Sequence, residues 1–316
     1  MRLNRDIRYQ ISALLVAGHQ QKVIAKLVGI SEGGLSKEIS RNGGRKKYDP
    51  DKADKRAVRL QHKAHIHYEY SDEVWAETGA LIKEDLSPEQ VVGRRGLEGK
   101  KSPSVPTIYR HIEGREEFKP HLRHGYKKYR ERGPAKDGRG SITGQVFIDL
   151  RPAIVDEKSR FGDFEIDLIN GALHKGNLLT ANDRMSMFCI LEPLPTKDAA
   201  ALADALIAAF SPYKMLLHTV TSDNGKEFAD HARIAQRLNV DYYFAHPYHS
   251  WERGANENMN GLIRQYLPKG TSFEDLTREE VKWIEWKLNN RPRKRLGFLT
   301  PLEYISRQVK QIYLAT

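Results

Sequence analysis

Three acidic residues, Asp167, Asp223 and Glu257, stand where this chain could build a metal-dependent site. Asp167 lies in the run GDFEIDLI, whose alternation puts Phe164, Ile166 and Leu168 on one face of a strand and Asp163, Glu165 and Asp167 on the other. Asp223 closes the apolar stretch MLLHTVTSDNG, where Asn224 and Gly225 turn the chain away. A carboxylate at the C-terminal end of a sheet strand is a common site position. Glu257 falls near the start of a helix that follows PYHSWERGANEN. Hard oxygen ligands brought together from two strands and a helix suit Mg²⁺, which takes a few carboxylates and completes its shell with water and substrate phosphate. Seven residues after Glu257 comes Arg264. On a helix that is ~700°, about 20° short of two turns, so the two side chains share a face and the cation can hold a phosphate. Asp163 and Glu165 compete with Asp167 on the same strand face, and Asp183 is a further carboxylate in an expected hairpin.

The elements that must position these acids begin near residue 144. Strand patterns occupy 146–150, 163–169, 178–182, 187–191, 215–222 and 240–245. Helical patterns occupy 198–210, 228–238, 253–266 and 277–289. Strands first, then strands alternating with helices, predict a mixed sheet flanked by helices over 144–316.

The residues before it read as helices. Ile7, Ile11, Leu14 and Leu15 recur at helical spacing, as do Val23, Ile24 and Leu27 in a second helix at 20–28. Gly29-Ile30-Ser31 then turns the chain into a third helix carrying Leu35 and Ile39, a helix-turn-helix pattern within 1–48. Its outer face offers Glu32, Ser36, Lys37, Ser40 and Arg41, followed by Arg45, Lys46 and Lys47, groups suited to base edges and phosphates. Residues 49–71 read as a basic helical linker. A second, looser helix-turn-helix spans 72–112, with a helix start at Ser87-Pro88 and the string TIYRHI, where Ile108, Tyr109 and Ile112 are packing candidates. Thr107, Tyr109 and Arg110 are its DNA candidates. Residues 113–143, rich in Gly, Lys and Arg, read as a flexible basic linker whose Lys127 and Lys128 can follow phosphates.

Charge agrees with that division. Residues 1–140 hold 30 Lys+Arg and 19 Asp+Glu, whereas 141–316 hold 22 of each, so the net +11 belongs to the first part and favours a polyanionic partner. The hydrophobic share of 39% excludes a disordered tail. No run approaches the ~18 consecutive apolar residues of a spanning helix, and the start MRLNRDIRYQ lacks a secretory apolar core. The chain therefore reads as soluble and cytoplasmic, with no membrane partner. A single Cys189 excludes a disulfide framework and paired-cysteine zinc sites. His62, His65 and His67 read as surface residues, and Trp251 as a packing residue before the Glu257 helix. No GxxxxGK[ST] loop is present, since Arg94 stands where the first glycine would precede Gly99-Lys100.

RSRFGDFEIDLI, TSDNGKEF, HPYHSWERGANENMNGLIRQYLPKG and LNNRPRKRLGFLTPLEY, together with ISEGGLSKEISRNG, LSPEQVVGRRGLEG and TIYRHI, resemble bacterial insertion-sequence transposases of the family named after insertion sequence thirty. The catalytic half resembles the RNase H-like core of the wider group of such transposases and retroviral integrases. One departure is Ile166, where the family usually carries glycine before the first acid.

The resemblance implies all-α helix-turn-helix modules followed by an α/β RNase H-like catalytic domain. It places the family's acidic triad on Asp167, Asp223 and Glu257 and its downstream basic residue on Arg264. It further implies two Mg²⁺ ions, with Mn²⁺ able to substitute, Asp167 bridging both and the other acids holding one each. No nucleotide cofactor is implied. The expected reaction is hydrolysis at the ends of the element, then joining of the 3′-OH to target DNA. The expected partners are terminal inverted repeats, target DNA and a second copy of the chain. Lys269, Arg291 and Arg293 are further expected phosphate contacts, the last two in a solvated basic turn with Lys294 and Arg295. A DNA-binding regulator with a structural sheet domain, and an RNase H-like nuclease that cuts without joining, are the competing classes.

Overall fold

The computed structural model describes residues 3–64, 69–123, 142–247, 249, 252 and 254–315. Lys127, Lys128, Trp251, His65 and His67 lie outside these residues. The chain divides into two compact units, Met1–Tyr70 and Ser71–Thr316.

In the first unit, α1 (Arg5–Val16), α2 (Gln21–Val28) and α3 (Glu32–Arg41) close over Ile7, Ile11, Leu15, Ile24, Val28, Leu35 and Ile39. Gly29 adopts the left-handed conformation that ends α2 (φ 69°), and the Ser31 hydroxyl caps α3 by accepting from the Gly34 amide. Val23 and Leu27, which recur with Ile24 at helical spacing, are exposed. The stretch from residue 49 is more than a linker. It forms α4 (Pro50–Ala64), which packs on α1. The buried Arg8 guanidinium ties the two together, reaching Glu38 of α3 at 2.9 Å and Asp54 of α4 at 2.8 Å. Such a tie is invisible in local composition, because Arg8 and Asp54 stand 46 positions apart.

The second unit begins with α5 (Asp72–Lys83), α6 (Pro88–Leu97) and α7 (Val105–Ile112), packed around Ile82, Leu86, Val91, Ile108, Ile112 and Phe118. A complete capping box between Ser87 and Gln90 starts α6. Tyr109 is exposed rather than packed.

Among the described residues the strands form a five-stranded sheet in the order β3-β2-β1-β4-β5. They are β1 (Asp163–Asn170), β2 (Asn177–Asp183), β3 (Cys189–Leu194), β4 (Thr219–Ser222) and β5 (Asp241–Phe244). The first three run antiparallel, while β4 and β5 lie parallel to β1. Residues 146–150, expected as a strand, contribute an isolated bridge from Phe147 to Phe244 and a single 3₁₀ turn, Ile148–Leu150. Before the sheet comes the short α8 (Ala153–Glu157).

Alternation along β1 divides the domain into layers. Phe164, Ile166 and Leu168 face α9 (Ala199–Phe210) and α10 (His231–Leu238). Ile169, with Leu178, Cys189 and Leu191, faces α11 (Gly254–Tyr266) and α12 (Arg278–Asn289). The stretch Ala199–Leu216 is long and apolar enough to cross a membrane by composition alone, yet Leu202, Leu206 and Phe210 of α9 sit in the core against the sheet.

Helix α13 (Pro301–Ala315) ends the chain and helps fix the second helical module to the sheet domain. Arg94 of α6 grips Glu303 with two hydrogen bonds, at 2.7 and 2.9 Å. Asp85 accepts from the Tyr266 hydroxyl at 3.1 Å and meets His121 at 2.9 Å. Gly93 leaves no room for a β-carbon because the Phe298 ring lies against it.

Candidate active site

Register explains how two distant acids become neighbours. On the parallel strands β1 and β4, Asp163 pairs with Thr219 and Glu165 with Thr221. Carried one further step of the same alternation, that offset sets position 167 beside position 223, and Asp223 stands there, just beyond the end of β4. Neighbouring strands lie ~4.8 Å apart, so the two carboxylates belong to the same end of two adjacent central strands. Asp223 Oδ1 accepts from the Gly225 amide at 2.9 Å, which holds the turn that exposes it.

The other candidate acids are occupied. Asp163 is buried, gripped by Arg160 at 2.8 and 3.0 Å, and accepts from the Thr219 hydroxyl at 2.8 Å. Glu165 is buried against the Arg184 guanidinium. Asp183 accepts from the Gly162 amide, the Ser186 amide and the Ser186 hydroxyl, at 2.8, 2.7 and 2.6 Å. Burial pushes its carboxyl up to about 6, against the pull of those hydrogen bonds. Asp167, by contrast, is only half-buried.

Helix α11 brings in the third acid. Its residues Asn256, Asn260 and Arg264, four apart, form a row along β1. Asn256 Nδ2 donates to the Ile166 carbonyl at 3.2 Å, and its Oδ1 accepts from Asn182 of β2 at 2.8 Å. Asn260 Nδ2 donates to Asp167 Oδ2 at 2.7 Å. Arg264 donates to the Asn170 carbonyl at 3.1 Å and the Leu267 carbonyl at 3.3 Å, and lies over the Phe273 ring. Glu257 sits three residues before Asn260, so it shares the helix face that touches Asp167 and projects from the first turn as an exposed side chain.

Comparison with known proteins fits this geometry. A family model described as the integrase core domain matches residues 159–250, a span that contains Asp167 and Asp223 and stops short of α11. Over 315 residues the chain is 45% identical to the transposase for insertion sequence element IS4351 of Bacteroides fragilis, spanning 98% of this chain and 97% of that protein. It is 33% identical over 320 residues to the transposase InsI for insertion sequence element IS30A of Escherichia coli (strain K12), spanning 96% of this chain and 82% of that one. The chain belongs to the IS30 family of insertion-sequence transposases. It is a DNA transposase with an RNase H-like integrase core, a polynucleotidyl transferase whose partner is DNA.

The candidate DNA contacts of this transposase fall into two groups. Ser36, Lys37, Ser40 and Arg41 lie exposed along α3, with Arg45, Lys46 and Lys47 beyond it. Tyr109 and Arg110 of α7 and Lys269 after α11 are also exposed, and Thr107 is half-buried. Arg291 and Arg293 are different. Both are buried, where a solvated basic turn was expected. Arg291 bridges the two parts of the unit, donating to Gln90 of α6 at 3.1 Å and Gln265 of α11 at 2.8 Å. Arg293 donates to the Leu288 carbonyl at 2.8 Å, and burial pushes its guanidinium down to about 10. The string RPRKR reads as surface because the side-chain partners of Arg291, Gln90 and Gln265, lie far away in sequence. Lys294 and Arg295 of the same turn are exposed.

The transposase's carboxylates offer only oxygen donors, the chemistry a hard divalent cation takes. Asn260 adds to that fit. Its Oδ1 is buried and has no hydrogen-bond partner among the described residues, while its amide holds Asp167. An orphaned acceptor beside a candidate ligand carboxylate suits a metal-coordinated water. Asn256 and Asn260 were not singled out from the sequence; the signal was there in the four-residue spacing that they share with Arg264.

Proposed function

We propose that Asp167, Asp223 and Glu257 form the catalytic site of this transposase, holding two Mg²⁺ ions that Mn²⁺ can replace. The observation that supports this reading is the Asn260 bond to Asp167, which draws the Glu257 face of α11 towards the strand ends where Asp223 also stands. When bound, the ions would supply Lewis-acid stabilisation of charge on the attacking and leaving oxygens of an in-line phosphoryl transfer.

The chain's own residues do the rest. Asp163 and Glu165, the two acids before Asp167 on the strand, are engaged by Arg160 and Arg184 and are not assigned a metal in this reading. Asn260 fixes its carboxylate rotamer, and Arg264 fastens α11 to the end of β1. The nucleophile is water in the cleavage step, leaving a 3′-OH on the element's end. That hydroxyl attacks a target phosphodiester in the joining step. One phosphodiester is exchanged for another, so joining needs no nucleotide.

In this reading α3 of the first module and α7 of the second contact the terminal inverted repeats. Two ends must be processed together, so the acting species is a dimer or higher multimer of the chain. A monomeric mass in the assembled protein–DNA complex would refute that last element.

A strand-transfer assay tests the whole. Labelled DNA carrying the element's end is incubated with a target plasmid in Mg²⁺ or in EDTA, using the wild-type chain and Glu257→Gln. Joined product that requires metal and disappears in the variant is the expected result. Cleavage without joining would make the chain a nuclease, and binding without chemistry would leave a DNA-binding regulator.

A further inference from the structure

A second cluster of metal-ligating side chains lies outside the carboxylate site, in the segment between β5 and α11. His246 Nδ1 and His249 Nδ1 each lie 3.0 Å from the same oxygen, Oε1 of Glu252. The three ligand atoms all fall within 4.8 Å of one another. In a tetrahedral zinc site with bonds of about 2.0–2.1 Å, neighbouring ligand atoms stand about 3.3 Å apart. Two of the three edges here are already within a few tenths of an ångström of that.

The surroundings are those of a supported ligand. The second nitrogen of His246, Nε2, meets Asp149 at 2.7 Å, the carboxylate–histidine pairing that orients a metal-bound imidazole. The ring also stacks on Phe147, 5.4 Å away and only 4° from parallel. Glu252 uses its other oxygen, Oε2, to accept from the His246 backbone amide at 2.9 Å, so the carboxylate is anchored while Oε1 points at both rings. All three side chains keep some exposure, which leaves a coordination position open to solvent.

We propose that His246, His249 and Glu252 form a transition-metal site of the Zn²⁺ class, separate from the catalytic carboxylates, with Asp149 orienting His246. Two imidazole nitrogens and one carboxylate oxygen select Zn²⁺ or Co²⁺ over Mg²⁺, which demands oxygen ligands. The site joins the Ile148–Leu150 turn to the segment that enters α11 at Gly254, three residues before Glu257. A bound ion therefore clamps the end of the helix that presents Glu257.

The test uses tag-free, full-length protein carrying Asp167→Asn, Asp223→Asn and Glu257→Gln, stripped with EDTA, so that the carboxylate site does not contribute. Zn²⁺ is titrated against a chromophoric chelator, and Co²⁺ is followed by visible absorption. One ion per chain is expected, with intense tetrahedral or five-coordinate Co²⁺ bands. His249→Ala and Glu252→Gln should each weaken binding at least tenfold, and Asp149→Asn by about 10–100-fold. His249→Gln, with circular dichroism to verify folding, serves if the alanine variant does not fold. Zn²⁺ affinity unchanged in the folded His249 variants would overturn the proposal. So would the absence of stoichiometric binding, which would leave protons, not a metal, bridging the two rings to Glu252.

Discussion

Asp167 of β1 and Asp223, the residue just after β4, are separated by the same offset that pairs Asp163 with Thr219 and Glu165 with Thr221 on these parallel neighbouring strands. The relation makes their roles joint. Asp167→Asn and Asp223→Asn should each reduce cleavage and joining on the order of a thousandfold, since each removes several kcal/mol of charge stabilisation at the reacting phosphate. Glu257→Gln should match them. Binding to the element's end, measured by gel shift, should stay within about threefold of wild type; a variant that loses end binding as well would point to misfolding instead.

Asn260 supports Asp167 without being one of the acids. Asn260→Ala removes a 2.7 Å hydrogen bond to Oδ2 and the orphaned acceptor beside it. Activity at limiting Mg²⁺ should fall about 10–100-fold, as it does when groups behind a metal ligand are removed. Raising Mg²⁺ should restore part of it, and the melting temperature should drop by no more than the loss of about 1 kcal/mol implies. An activity loss that does not depend on Mg²⁺ would speak against a role in ligand positioning.

The second helical module is fitted closely to the sheet domain at Gly93. A β-carbon there would stand 2.2 Å from the Phe298 ring. Phe298 already has a left-handed backbone (φ 67°), so it has little freedom to retreat. Gly93→Ala should cost about 1–3 kcal/mol in urea unfolding. Phe298→Ala in the same chain should relieve the overlap, and a Gly93→Ala variant as stable as wild type would contradict the packing described.

Asp183 gives a pH signature. Its folded value is about 6 against an ordinary 3.8, and the cause is burial. Above about 6 the folded chain carries this charge at a cost. As pH falls from about 6 towards 3.8 the folded state takes up a proton that the unfolded state does not, so this group's contribution to stability rises with acidification. Comparing urea midpoints of wild type and Asp183→Asn across that window isolates the effect. The difference between them should change with pH in that direction, by at most about 3 kcal/mol. A pH-independent difference would place the carboxyl at its ordinary value.

The first module's contacts are read through salt. Lys37→Ala and Arg41→Ala lie on the exposed face of α3 and should each weaken end binding while lowering the logarithmic salt slope by about one. Arg291→Ala should leave that slope unchanged, because its guanidinium is buried between Gln90 and Gln265.

By itself the sequence determined whatever rests on local pattern. Alternation in GDFEIDLI made a strand with its acids on one face, Gly29 and Ser31 marked the turn and cap between α2 and α3, and Asn224-Gly225 placed Asp223 at a strand end. These signals are local because backbone geometry repeats over a few residues. That Asp163 and Glu165 are buried in ion pairs, however, depended on Arg160 and Arg184 reaching them, and Arg184 comes from the turn beyond β2. The burial of Arg291 and the packing of α4 on α1 were likewise settled by partners distant in the chain. Charge and polarity in a string describe what a side chain could pair with; only the folded chain decides whether its partner is water or another residue, because desolvation and pairing are properties of three-dimensional neighbours.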